Sequence, residues 1–175
     1  MTRWLLRPRV LAAIAVAVFV CIALFQWPGS PAASSRFTAL VGAPPFDERP
    51  AGYTLSGVLA AFRLLGPQGL ADYTAYRALD MLFPWLLCAL VAAVMLRLDA
   101  PRTTLWPLLA ATADTLENVL QWRILLTRDD LSPELVQWAS GVTQVKFALY
   151  AGMLLMLLVV GVRSLWRQHR ALRRT

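Results

Sequence analysis

The chain has 175 residues, of which 58% are hydrophobic and only 15% are charged, and its mean hydropathy is +0.56. This composition excludes one ordinary soluble domain, because such domains carry about 25% charged residues. The formal charge is +7, but the basic residues flank apolar runs at both ends of the chain instead of covering one soluble face. That distribution argues against nucleic acid as a partner and favours membrane lipids.

Four stretches are apolar and long enough to cross a hydrocarbon core of about 30 Å as helices. The predicted spans are approximately 10–27, 78–98, 106–126 and 139–162. A cleaved secretory signal is the alternative for the first, but its apolar run exceeds the roughly 7 to 15 residues of a signal core, which favours an uncleaved anchor. The sequence therefore predicts an all-α, polytopic membrane protein, a four-transmembrane-helix bundle that forms a single domain over 1–175.

The arginines predict the orientation of this bundle, because cytoplasmic loops retain Lys and Arg. With the N-terminus inside, ten arginines fall on the inner side and five on the outer side. Both termini are therefore expected in the cytoplasm, with an outer loop at 28–77 and a basic cytoplasmic tail at 163–175. The expected location is the bacterial cytoplasmic (inner) membrane.

The outer loop contains a helical pattern between the first two spans. Its opening stretch, 28–35, is rich in Pro, Gly and Ser, so no regular structure is expected there. Thr54 or Ser56 can cap an extracytoplasmic amphipathic helix, which the Gly-Pro pair at 66–67 ends. A second helix is expected to run from Gln68 into the second span without a break.

Ionisable side chains inside a membrane cost a few kcal/mol each and mark either function or an obligatory buried pair. Five such residues and three amides fall in the predicted spans: Asp80, Asp114, Glu117, Arg123, Lys146, Asn118, Gln121 and Gln144. Four of them are three, four and seven residues apart in the third span and share one helix face, which must look inward. All the acids and the lysine can meet in the outer half of the bundle.

Pro84 adds a backbone feature to this cluster. It lacks an N–H and crowds the carbonyl of Asp80, four residues earlier, so an acceptor is freed beside a carboxylate and needs donors. Tyr73, Tyr76 and Arg77 lie on nearly the same helix face and can supply local donors. Arg77 or Lys146 is the expected partner of the Asp80 carboxylate.

The polar cluster has a structural and a functional interpretation. In the first, it is a charge-paired, hydrogen-bonded knot that holds the four helices in register. In the second, it is a pocket, open toward the outer side, for an unidentified and lipid-like ligand. The residues of this predicted polar or ligand-binding network are Tyr73, Arg77, Asp80, Asp114, Glu117, Asn118, Gln121 and Lys146.

Asp114 and Glu117 are the candidate catalytic residues, and whether the protein is an enzyme is left open. Two close acids can divide into a protonated and an ionised carboxyl, which can do acid/base chemistry on a lipid-like substrate. The same pair could carry a proton in a small proton-coupled transporter. No cofactor or metal is expected, because Lys146 would compete with a cation and the single histidine, His169, lies in the basic tail.

A run of short motifs resembles that of small four-helix integral membrane proteins with no established activity. The resemblance covers 53–152 and leaves out the first helix. It rests on Gly66-Pro67-Gln68-Gly69, Tyr73, Leu79-Asp80, Phe83-Pro84, Asp114-x-x-Glu117-Asn118 and Lys146. It implies a fold and a polar site, not a reaction. A looser similarity to sterol-isomerase-type membrane bundles, which also place acids inside helices, carries no residues over.

Overall fold

The computed structural model describes residues 6–173, and the regular secondary structure of this part of the chain is all helical, without a strand. Its α-helices are α1 (Pro8–Gln26), α2 (Ser34–Val41), α3 (Leu55–Asp80), α4 (Phe83–Arg97), α5 (Leu105–Leu126) and α6 (Pro133–Leu172). Two short 3-10 helices, Phe46–Glu48 and Pro101–Thr104, precede α3 and α5 respectively.

Three stretches within residues 6–173 are long and apolar enough to cross a membrane, namely Pro8–Gln26, Leu55–Arg97 and Pro133–Arg170. Large apolar side chains on these helices point outward; Phe19, for example, is 71% exposed. An outer surface of this kind suits lipid and is costly in water, so the fold indicates a membrane protein. The third predicted span corresponds to α5, which is not among the three because charged residues interrupt its apolar sequence.

The structure confirms the predicted helix start and kink in α3. The hydroxyl of Thr54 accepts a hydrogen bond from the Gly57 amide at 3.3 Å. At Gly66 the backbone leaves the helical region, with φ 60° and ψ −174°, a conformation that favours glycine. This kink divides α3 into the two helical halves that the sequence predicts.

The helix from Gln68 runs without a break to Asp80, inside the predicted second span, and the chain breaks only after that point. Helix α3 ends at Asp80, and α4 begins at Phe83 after a turn formed by Met81 and Leu82. The reason is Pro84, which cannot donate to the Asp80 carbonyl and therefore interrupts the hydrogen-bond ladder.

The outer loop is more ordered than expected. Residues 28–33 form turns, but α2 begins at Ser34, inside the stretch for which no regular structure was expected. The aromatic side chains of Phe37 and Phe46 are buried and pack with ring centroids 5.5 Å apart. Together with Tyr73 they anchor a core between α2, α3 and the adjoining ends of α5 and α6.

Helices α5 and α6 pack closely. As the sequence predicts, α6 begins well before its span, and the Ser132 hydroxyl caps it by accepting from the Leu135 amide at 3.1 Å. Farther along, Gly152 lies against the ring of Trp106, so close that an added methyl group would lie 2.5 Å from a ring carbon. This close approach brings the polar residues of the two helices together.

Candidate functional site

Helix α5 has a polar face and an apolar face. The four polar residues predicted to share a face are all buried: Asp114, Glu117, Asn118 and Gln121. Large apolar side chains on other parts of the helix surface are exposed, among them Leu109, Leu116 and Val119. The helix therefore turns its charges toward the other helices and hydrocarbon groups outward, the reverse of a water-soluble helix.

Lys146 of α6 lies between the two acids of this face. Its ammonium nitrogen is 2.7 Å from Glu117 Oε2 and 3.9 Å from Asp114 Oδ1. It also donates to the backbone carbonyl of Asp47 at 3.0 Å. The other Glu117 oxygen accepts a 2.6 Å hydrogen bond from the Thr143 hydroxyl. Glu117, which is fully buried, is thus held by two residues of α6.

Arg77 of α3 forms a second buried ionic centre and is fully inaccessible to solvent. Its Nη2 atom lies 2.5 Å from Asp80 Oδ2 and 3.0 Å from Asp47 Oδ2. The guanidinium also lies over the rings of Tyr76 and Tyr73, at 5.0 and 5.7 Å from their centroids. Of the two partners expected for Asp80, the structure selects Arg77.

The carbonyl of Asp80 that Pro84 frees does find a donor, but not a local one. The Asn118 amide donates to this carbonyl at 3.0 Å and to Asp114 Oδ1 at 3.3 Å. The tyrosines expected to serve it bond elsewhere: Tyr76 donates to Asp47 at 2.7 Å, and Tyr73 donates to Gln121 at 3.3 Å. The side chain of Asn118, on α5, therefore satisfies the carbonyl that is left free at the break between α3 and α4.

Sequence reasoning missed several members of this network. Asp47, in the loop before α3, contacts both buried cations and had no periodic signal to identify it. Tyr150 donates to Asp114 at 2.7 Å, and Tyr53 accepts from Gln121 at 2.6 Å. Spacing alone could have suggested Tyr150 and Thr143, because both lie three or four residues from Lys146 on α6.

Two polar residues of the predicted spans lie outside the buried network. Arg123 is exposed near the end of α5. Gln144 is also exposed, and its amide donates to the backbone carbonyl of Ala51 at 3.1 Å. Both residues fall on the outward side of their helices, and neither was assigned to the predicted network.

The two acids of the loop before α3 are held differently. Burial alone would raise the pKa of Asp47, but the Arg77 and Lys146 cations and the Tyr76 hydroxyl outweigh burial and lower this pKa. For Glu48, partial burial and the neighbouring Asp47 carboxylate raise the pKa, although the Tyr76 hydroxyl donates to it at 3.1 Å. Asp47 is thus stabilised as the anion, and Glu48 is not.

A groove of about 720 Å³ lies beside this network, between α1, α4 and α6. The ionisable residues at one end are Asp47, Glu48, Asp80, Asp114 and Lys146. The aliphatic side chains beyond them are Leu87, Val91, Met153, Leu154 and Leu157. Measured along α6 from Lys146 to Leu157, the groove is about 16 Å long, roughly half of a 30 Å hydrocarbon core.

Comparison with protein-family models, with curated proteins and with solved structures finds no match for this chain. The function is therefore argued from the groove and its network. Their arrangement combines a paired ionic knot with a cavity that is charged at one end and apolar along the rest.

Proposed function

We propose that the protein is a four-span membrane protein that binds a lipid-like amphiphile in the groove between α1, α4 and α6. The observation that carries this proposal is the division of the groove wall into a carboxyl-rich end and an apolar length. An amphiphile has the same division. The volume of about 720 Å³ also falls within the roughly 300 to 1,000 Å³ of most small-molecule sites.

The fourth crossing in this proposal is α5. Its 22 residues would span about 33 Å. Its acids are paired or hydrogen-bonded inside the bundle, and its exposed leucines suit lipid. Charged residues are tolerated in a span when they face the interior in this way.

Packing between helix ends supports an alternating up-and-down course for the chain. Phe25 near the end of α1 and Ile124 near the end of α5 belong to the same core as Val136 near the start of α6. At the opposite end, Arg97 of α4 donates to the Leu6 carbonyl before α1 at 2.8 Å. The two groups of helix ends belong on opposite membrane faces in a four-span course.

The arginine distribution orients this course with both termini in the cytoplasm, in a bacterial inner membrane. The first half of α3 is then the extracytoplasmic amphipathic helix, with Val58, Ala61 and Leu65 on its buried side. Two of the arginines on the extracytoplasmic side form ion pairs within the protein: Arg77 in the buried network, and Arg36 with Asp72 at 2.8 Å. Their structural use explains why they lie on that side despite the bias of topology signals.

The positions of the two candidate catalytic residues, Asp114 and Glu117, favour ligand binding over catalysis that uses both. An acid/base reaction that uses both would need both carboxyls at the ligand. Asp114 lines the groove, but Glu117 is fully buried and occupied by Thr143 and Lys146. The proposal therefore treats Asp114 as a contact to the ligand and Glu117 as a support for Lys146.

A steric change in the groove tests the proposal. Leu154 lines the groove, whereas its neighbour Leu155 faces outward with nearly equal exposure, 58% against 59%. We expect Leu154→Trp to lower the amount of co-purifying lipid counted by native mass spectrometry, because the indole occupies the apolar length. Leu155→Trp is the matched control and should retain lipid as the wild type does. Equal lipid retention in both variants would contradict binding in this groove.

A further inference from the structure

The charges at the polar end of the groove do not balance. Four buried acids contact only two buried cations, Arg77 and Lys146, in the ion pairs of the described residues. These acids are Asp47, Asp80, Asp114 and Glu117. Glu48 adds a further acid at the groove. In a medium of low dielectric constant, surplus carboxylates are costly unless a cation or a proton balances them.

The surplus faces the groove and not the packed interior. Lys146 is the one cation among the groove-lining residues, and Glu117 matches its charge from behind at 2.7 Å. Arg77 is shared between Asp47 and Asp80 and does not line the groove. Asp114 has only a tyrosine hydroxyl and an amide as close donors, with Lys146 at 3.9 Å.

Aromatic rings surround the same end of the groove. Phe25 of α1 packs against Tyr76 at 5.1 Å and against Phe83 at 5.6 Å between ring centroids. Phe147 and Tyr150 of α6 line the groove together with these three rings. Carboxylates combined with aromatic faces are the surroundings in which proteins bind organic ammonium groups, through charge and cation–π attraction.

Besides Glu117 Oε2, which is ion-paired with Lys146, two buried acceptor atoms in this region have no partner in the described part of the chain. They are Asp47 Oδ1 and Asn118 Oδ1, and both residues are more than nine-tenths buried. Asp47 lines the groove itself. Buried acceptors are normally satisfied, so an unsatisfied one at a groove wall is suited to a donor carried by a ligand. Two N–H groups of Arg77 are also unpaired, but this guanidinium is enclosed by tyrosine rings and is not a groove-lining group.

We infer that the amphiphile bound in the groove carries a cationic amine headgroup on a hydrocarbon chain. This inference rests on the proposed function and specifies its ligand. The ammonium group lies among Asp47, Asp80 and Asp114, and the chain follows the apolar wall of α4 and α6. A phospholipid is disfavoured, because its phosphate would bring further negative charge to a site that already has a surplus.

The test compares three probes with the same chain and different heads: dodecylammonium, dodecanol and dodecanoate. The full-length protein is reconstituted in phosphatidylcholine nanodiscs, and the retained probe is counted by native mass spectrometry at equal bilayer mole fractions. We expect the ammonium probe to be retained at least about tenfold more than dodecanol, a ratio within reach of combined charge and cation–π contacts. Dodecanoate should be retained least.

Variants locate the effect. Asp47→Asn should remove most of the preference for the ammonium head, whereas Asp130→Asn, in the exposed loop before α6, should keep it. Because Asp47 also pairs with Arg77, its variant could fail to fold. Phe25→Leu then serves as the second variant, since it removes a ring from the groove and leaves every ion pair intact. It should lower retention of the ammonium probe while leaving dodecanol retention unchanged.

The outcomes separate the inference from the proposed function. Equal retention of dodecanol and the ammonium probe, with both lost in Leu154→Trp, would overturn the cationic headgroup and support the groove as a chain-binding site. Retention of none of the probes, together with lipid retention unaffected by Leu154→Trp, would overturn both. Ammonium preference that persists unchanged in Asp47→Asn and Phe25→Leu would place the probe elsewhere and overturn the inference.

Discussion

The ion pair between Lys146 and Glu117 allows the structural part of the network to be measured. The two charged atoms are 2.7 Å apart, and the side chains are 7% and 0% exposed. Replacing either partner alone, by Glu117→Gln or Lys146→Met, leaves a buried charge without its counter-ion. Breaking a buried pair in this way costs about 3–5 kcal/mol of unfolding free energy.

The double variant should be less destabilised than the sum of the two single variants, because it removes both charges. For groups in direct contact we expect a coupling energy of about 2–3 kcal/mol. The double variant should still unfold more easily than the wild type, since Lys146 also donates to the Asp47 carbonyl and lies 3.9 Å from Asp114. The Thr143 hydroxyl can keep its hydrogen bond to a glutamine at 117.

The same chain supplies a matched control in the pair Arg36 and Asp72. Its charged atoms are 2.8 Å apart, but the arginine side chain is 37% exposed, so water screens the attraction. Exposed pairs of this kind couple by about 0.2–1 kcal/mol. Both cycles are measured by denaturant unfolding in mixed micelles, followed by tryptophan fluorescence. A coupling for Lys146 and Glu117 no larger than that for Arg36 and Asp72 would refute the view that this pair holds α5 to α6.

Three further predictions use the same unfolding assay. Asn118→Leu should cost about 1–3 kcal/mol, because the Asp80 carbonyl loses its donor, and an unchanged stability would contradict the proposed repair of the helix break. Gly152→Ala should cost about 1–3 kcal/mol of unfolding free energy through overpacking against the Trp106 ring. Its control is Gly141→Ala, which has open space around it and should increase the unfolding free energy by about 0.5–1 kcal/mol. Equal effects of the two substitutions would contradict the close contact between α5 and α6 at Gly152. The raised pKa of Glu48 means that its ionisation destabilises the folded state as pH rises, so Glu48→Gln should increase the unfolding midpoint at pH 7 and lose this gain below pH 4.5. A gain that persists at low pH would exclude the carboxylate as its cause.

Local rules predicted the parts of the site that lie along one helix. The spacing of Asp114, Glu117, Asn118 and Gln121 fixes a shared face through the helical period, and all four are buried on α5. The kink at Gly66 was also predictable from local sequence, because a Gly-Pro pair interrupts a helix through its immediate neighbours. The apolar runs likewise indicated helices that suit a membrane.

Partners separated by many residues were beyond local rules. The consequence of Pro84 for the Asp80 carbonyl could be predicted, but its donor, Asn118, is 38 residues away in sequence. Asp47 lies in a short 3-10 helix with no apolar period around it, and its role depends on how the loop folds against α3 and α6. Only the tertiary packing of several segments brings these groups together.

The structural and ligand-binding interpretations of the cluster need not compete, because different residues carry them. Arg77 joins the loop acid Asp47 to α3, and Lys146 joins α6 to both α5 and the same loop. Each of the two buried cations is shared by two carboxylates, so two of the four negative charges are not balanced. Glu117 serves only the pairing because it has no access to the groove. The carboxyls left over are those at the groove wall. A cluster built solely to hold helices together would have no reason to place its surplus charge there, beside a cavity lined by hydrocarbon and aromatic rings.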